Sequence, residues 1–150
     1  MKNAARLLLC ALLAACGGPA DEATPEAATE SAPAAAPERM TVTIISPAEG
    51  SFQEEHDVEV VLRTTVPIVP AGDMTPGTGH HHLYLDADLG DMSAPVPTVP
   101  GSIIHMGNGA TAYTFENVGS GPHRIIAVVA DGAHVPLQPL VVDTVNFVVE

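Results

Sequence analysis

The sequence predicts an all-β domain: an immunoglobulin-like antiparallel β-sandwich of about seven strands. Three observations carry that prediction. After residue 40 the apolar residues fall in short alternating runs, the period of a half-buried strand. The runs are separated by Gly, Pro and Asn turn signals at short intervals. No stretch beyond that point has the 3.6-residue apolar period of an amphipathic helix. A small barrel is the competing architecture.

The strands follow in order. Thr41 to Ser46 alternates, and Pro47-Ala48-Glu49-Gly50 ends it in a turn. Asp57 to Thr65 places Val58, Val60 and Leu62 on one face and Glu59 and Arg63 on the other. A loop rich in Pro and Gly, Val66 to Gly79, leads into His80-His81-His82-Leu83-Tyr84-Leu85-Asp86. A second long loop, Leu89 to Gly101, contains Pro95, Pro97 and Pro100. Ile103 to Met106 is a short strand, and Gly107-Asn108-Gly109 turns the chain into Thr111 to Glu116, where Tyr113 and Phe115 share a face. After the turn Gly119-Ser120-Gly121-Pro122, the run His123 to Ala130 is almost wholly apolar, as a central strand requires. Asp131 to Pro139 is a loop, and Val141 to Val149 closes the domain with Val145, Phe147 and Val149 aligned. With no Trp and few aromatics, the core is expected to be aliphatic.

The first 39 residues are of another kind. Lys2 and Arg6 precede the apolar run Leu7 to Ala15, too short to span a bilayer and suited to a signal peptide. Leu13-Ala14-Ala15-Cys16 has the form of a lipobox, so residues 1–15 are expected to be removed and Cys16 to be lipidated. Residues 16–39, dominated by Ala, Pro, Glu, Ser and Thr, read as a disordered tether reaching roughly 25 Å as a coil. Residues 40–150 form the sandwich domain. These features place the protein in a bacterial cell envelope, held by lipid and expected at the outer membrane facing the periplasm. Gly17 after Cys16 is not the aspartate of an inner-membrane retention signal.

Charge and cysteine content narrow the function. With the leader gone, five basic residues fall to three (Arg39, Arg63 and Arg124) against eighteen acidic ones, a formal net charge of −15. Such a surface repels nucleic acid and anionic headgroups, so only lipid is expected to hold the chain at the membrane. Cys10 leaves with the leader and Cys16 is the anchor, so no thiol remains for a disulfide, a zinc knuckle or a nucleophile. There is no Gly-x-Ser-x-Gly and no His-Glu-x-x-His, and enzyme activity is not expected.

The histidines are the chemical content. Strand alternation puts His80, His82, Tyr84 and Asp86 on one face, with His81, Leu83 and Leu85 toward the core. His105, His123, Asp131 and His134 sit near strand ends, where sandwich loops gather. Neutral imidazole suits Zn and Cu(II). The expected metal ligands are His80, His82, His105 and His134, with Asp131 as a supporting residue or fifth ligand and copper or zinc as the ion. Met74, Met92 and Met106 add soft donors suited to Cu(I). His123 is expected to begin a strand and His56, beside Glu54 and Glu55, to be solvated. In the alternative reading, the imidazoles only bond loop carbonyls in a structural or protein-interaction module. A metal-dependent hydrolase is the third reading, and it requires an open cleft beside the ligands. Four imidazole nitrogens within about 5 Å of one another would favour the first reading over the second.

Four motifs, in order, resemble a known bacterial family: Gly79-His80-His81-His82-Leu83-Tyr84-Leu85-Asp86, Ile104-His105-Met106-Gly107-Asn108-Gly109-Ala110-Thr111, Gly121-Pro122-His123-Arg124 and Asp131-Gly132-Ala133-His134-Val135-Pro136. They are similar to domain-of-unknown-function family 4399, with its pattern G-H-H-H-L-x-x-D, H-I-H-F-G-x-G-x-T, P-G-x-H and G-D-H-N-H-V-P. The resemblance covers roughly residues 66–149 and implies an exported or lipoprotein-like domain. It assigns no activity. Two family histidines are replaced here, at Ile103 and Gly132, while His80, His81, His82, His105, Asp131 and His134 are kept.

Overall fold

The structure, a computed structural model, describes residues 39–150. The expected signal peptide, Cys16 and the tether up to residue 38 lie outside the described residues. Eight strands follow in order: β1 (Val42–Ser46), β2 (Phe52–Gln53), β3 (Val58–Thr64), β4 (His80–Leu85), β5 (Ile103–Met106), β6 (Ala112–Phe115), β7 (Gly121–Ala130) and β8 (Val142–Val149). They form a three-stranded sheet, β1-β3-β6, and a five-stranded sheet, β2-β8-β7-β4-β5. The described residues are thus an all-β sandwich, as the alternating runs predict.

Alternation decides what is buried. Val42 and Ile44 of β1 and Val58, Val60 and Leu62 of β3 point inward from the small sheet. Leu83, Ile125, Ala127, Val129, Val145 and Phe147 meet them from the large one. Each buried Val, Leu, Ile or Phe side chain contributes roughly 1.5–3 kcal/mol, and the core is aliphatic as expected. Ile125 to Ala130 is buried without interruption because β7 is central, with β8 on one side and β4 on the other, and is covered on both faces.

Two expectations are corrected. The two-residue β2 was not foreseen, because no alternation can show over so short a run. It pairs in parallel with β8, Phe52 opposite Val148, so the large sheet is mixed rather than wholly antiparallel. Strand β7 starts at Gly121, two residues before His123, within the segment expected to turn.

Strand β4 lies between β7 and β5, and both of its faces are covered. Leu83 faces the sandwich core. On the opposite face Tyr84 joins Ile103, Ile126, Val128, Ala130 and Val96 in a second apolar cluster. Val96 belongs to the long β4–β5 connection, which folds back over the sheet. The histidine face that alternation suggested would be displayed is therefore buried.

Candidate metal centre

Register brings the first three imidazoles together. His80 and His82 are two residues apart on β4 and share its outer face. His82 lies directly opposite His105 of β5, and cross-strand partners share a face. On the other side, His80 faces Ala130 and His82 faces Val128, so the neighbouring strand presents only small or medium side chains. His134 arrives from the β7–β8 connection. Asp131 folds that turn: its Oδ1 accepts from the backbone N–H groups of Ala133 and Val135, each at 2.9 Å. The peptide N–H of His134 donates to the Asp131 carbonyl, and His134 itself is left-handed, with φ of 67°. The Val96 N–H donates to the His134 carbonyl at 2.9 Å, fastening the β4–β5 connection to the same turn.

All four expected histidines converge. Each offers a ring nitrogen, and no two of these donors are more than 4.8 Å apart. The six ring-centroid separations run from 4.6 to 5.8 Å. A separation of this size lets four imidazoles approach one ion. His80 and His82 are fully buried, while His105 and His134 are half-buried, so the cluster has a deep pair and a rim pair. Met106 turns into the sandwich core and away from the cluster, and Met74 is 63% exposed.

The hydrogen bonding of the cluster is incomplete. His80 Nε2 and His82 Nε2 lie 3.1 Å apart, so between two neutral rings one nitrogen donates and the other accepts. The Nδ1 atoms of His80 and His82 and Nε2 of His105 are buried without any partner. Three histidines outside the cluster bond oxygen atoms instead. His81 faces the core, as expected, and its Nδ1 donates to the Ala110 carbonyl while its Nε2 is buried without a partner. His56 is exposed, as expected, and its Nδ1 also donates to the Val118 carbonyl. His123 bonds Asp86 and Gly119.

Electrostatics favour the neutral form of three of these rings. Burial, then the neighbouring His105 and His134, push His80 down to about 4, with the Asp131 charge opposing. Burial and the same neighbours, together with His80, push His82 down to about 3. His105 is lowered by burial and by His134. At neutral pH these rings present lone pairs, the form a metal ion needs. Tetrahedral Zn–N bonds near 2.05 Å set the nitrogens about 3.3 Å apart, and tetragonal copper sets trans nitrogens about 4 Å apart. The His80–His82 pair is already near the first spacing, and the widest gap has to close by no more than about 1.5 Å.

Asp131 does not join the donor group, because its Oδ1 is spent on the turn that presents His134. Of the two roles expected for it, the supporting one fits. Tyr84 and Asp86 share the alternation of His80 and His82 but not the site. Asp86 leaves the strand with φ of 51° and bonds His123 Nδ1 and the Arg124 N–H. Tyr84 is buried with its hydroxyl unpartnered. Sequence reasoning missed the cover over the rim. The β3–β4 connection spans both rim histidines: the Ala71 N–H donates to the Gly107 carbonyl and the Gly72 N–H to the Gly132 carbonyl. Its only sequence signal was the pair of glycines beside His105 and His134.

Fold and site define a class: a β-sandwich that gathers four imidazoles, two of them fully buried, against the outer face of its larger sheet. Residues 58–150 match the family described as Domain of unknown function (DUF4399), and the chain belongs to that family. The match begins some residues earlier than the motifs alone indicated. No curated protein matches the chain. Among solved structures it is similar to the crystal structure of an engineered protein, at 14% identity and a TM-score of 0.45, over 77% of this chain and 21% of that one. The chain spans about a fifth of that structure's length, and a likeness this loose carries no argument.

Proposed function

We propose that this protein is a metal-binding module of the bacterial envelope, taking one copper or zinc ion on His80, His82, His105 and His134. The observation that carries the proposal is the convergence of four imidazoles, two of them fully buried, whose donor nitrogens all lie within 4.8 Å of one another. An unpaired buried polar atom costs about 1–3 kcal/mol, and an ion bound at His105 Nε2 would offset that cost there. In a module whose histidines only order loops, the rings would bond loop carbonyls. His56 and His81 do so, and the ring nitrogens of His80, His82 and His105 do not. A hydrolase requires an open cleft at the ligands. The cavity of about 510 Å³ that His105 borders is lined otherwise by residues of the β5–β6 hairpin and takes in none of the other three histidines. Binding, rather than hydrolysis, is the reading this supports.

The envelope assignment rests on the leader, the lipobox at Cys16 and the tether to residue 39, with lipid as the membrane anchor and no nucleic-acid partner. Incorporation of labelled palmitate that Cys16→Ser abolishes would support it. Equal labelling of both proteins would sink it.

The metal reading is tested on the untagged full chain, stripped with chelator and titrated with Cu(II) and Zn(II) by calorimetry. One ion per chain is expected, at ~1 μM or tighter, with binding lost in His80→Ala/His82→Ala and weakened in the milder rim variant His134→Ala. Weak binding that neither variant changes would leave a non-metal interaction module.

A further inference from the structure

We infer that Gly107 is a positioning residue of the metal centre: the missing side chain at this position is the notch into which the His105 imidazole fits. The inference rests on the metal reading above and adds a residue with no donor atom of its own to the site.

The His105 ring is not held by hydrogen bonds. Its Nε2 is buried without a partner, and it meets His80, His82 and His134 only through ring contacts. Its orientation is therefore set by packing, and Gly107 is part of that packing. A Cβ at residue 107 would lie 2.4 Å from both Cε1 and Nε2 of His105, whereas ordinary contact begins at 3.4 Å. The ring would have to retreat by about 1 Å. The backbone at Gly107 is not in the left-handed region, so alanine is conformationally acceptable there. The obstacle is the imidazole itself and, more mildly, the Ala71 Cβ at 3.1 Å. The Gly107 carbonyl accepts from the Ala71 N–H through the backbone, a bond that needs no side chain at residue 107. In a formed site the metal–ligand distances vary by only about 0.2 Å. A ring displaced by about 1 Å and blocked from its notch would have to overcome that displacement before all four donors could meet one ion.

Co(II) serves as a spectroscopic stand-in for Zn(II). Wild type, Gly107→Ala, His105→Ala and the double variant are titrated with Zn(II) and Co(II), with Gly90→Ala as control because nothing lies within 4 Å of a Cβ there. Gly107→Ala is expected to weaken Zn(II) binding about 10- to 100-fold and to lose the intense visible absorption of tetrahedral Co(II). In the His105→Ala background the same change is expected to cost nothing further, since it acts through that ring. In metal-free protein the Cε1–H resonance of His105 should shift in Gly107→Ala while the unfolding midpoint stays put. Wild-type affinity and spectrum in Gly107→Ala would overturn the inference, as would an equal loss in both backgrounds. A wild type that binds no metal overturns the metal reading itself, and then only the His105 resonance tests the notch.

Discussion

Acid should destabilise the metal-free protein through its buried histidines, over a pH range set by their folded and unfolded pKa values. In the unfolded chain an imidazole titrates near 6.5, and in the fold His80 and His82 are held at about 4 and about 3. Both folded values lie below the unfolded one, so the unfolded state takes up more protons as pH falls below 6.5. The neutral-histidine contribution is fully present above 6.5 and is lost as pH falls toward the folded values. Near pH 5 both folded rings are still neutral, so their mutual repulsion does not enter. The loss there is about 1.5 pH units for each, or roughly 2 kcal/mol apiece. A total on the order of 4 kcal/mol is a large share of the 5–15 kcal/mol typical of a domain. Urea unfolding with chelator present, at about pH 7.5 and about pH 5, should show that fall in wild type and most of it abolished in His80→Leu/His82→Leu. Contributions from other groups are common to both proteins and cancel in the comparison. A wild-type change under about 1 kcal/mol, or an equal fall in the double variant, would refute the reasoning.

Three further outcomes follow from particular contacts. His123 donates from both ring nitrogens, to Asp86 and to the Gly119 carbonyl, each at 2.7 Å, which only the imidazolium can do. Burial alone lowers its pKa, but these bonds and the Asp86 charge outweigh it and raise the pKa. Its stabilisation is therefore present below 6.5 and lost as pH rises through the folded value. Asp86→Asn should cost about 1–2 kcal/mol near pH 6 and flatten that loss in urea melts. Tyr84→Phe removes a buried hydroxyl that bonds nothing, so the metal-free protein should keep its stability or gain about 1 kcal/mol; a loss of that size would show that the hydroxyl has a partner. Asp131→Ala opens the turn that presents His134. It should weaken Zn(II) binding about 10- to 100-fold, read by calorimetry, while leaving the sandwich folded.

Much of this was legible in the sequence because strand alternation is a local code. Val58-Val60-Leu62 and Val145-Phe147-Val149 declare their buried faces, and His80 and His82 declare a shared one. The identity of the cluster was also legible, since the four histidines sit at strand ends that a sandwich gathers. Less visible was whatever depends on long loops. Alternation sets Asp86 on the same face as His80 and His82, but the left-handed turn at Asp86 redirects it to His123, a contact 37 residues away in the chain. The burial of Tyr84 and the histidine face depends on Val96 and the β4–β5 connection folding back over the sheet, which no periodicity encodes. The role of Asp131 became clear only once its carboxylate was seen holding the Ala133 and Val135 amides.

The most direct test of the four-histidine centre is X-ray absorption at the metal edge, on the untagged full chain loaded with one equivalent of Zn(II) and washed free of excess. The account predicts four nitrogen scatterers at about 2.0 Å, with the outer-shell pattern of imidazole and no sulfur. A shell of water or carboxylate oxygens without imidazole scattering, or no zinc retained after washing, would contradict it.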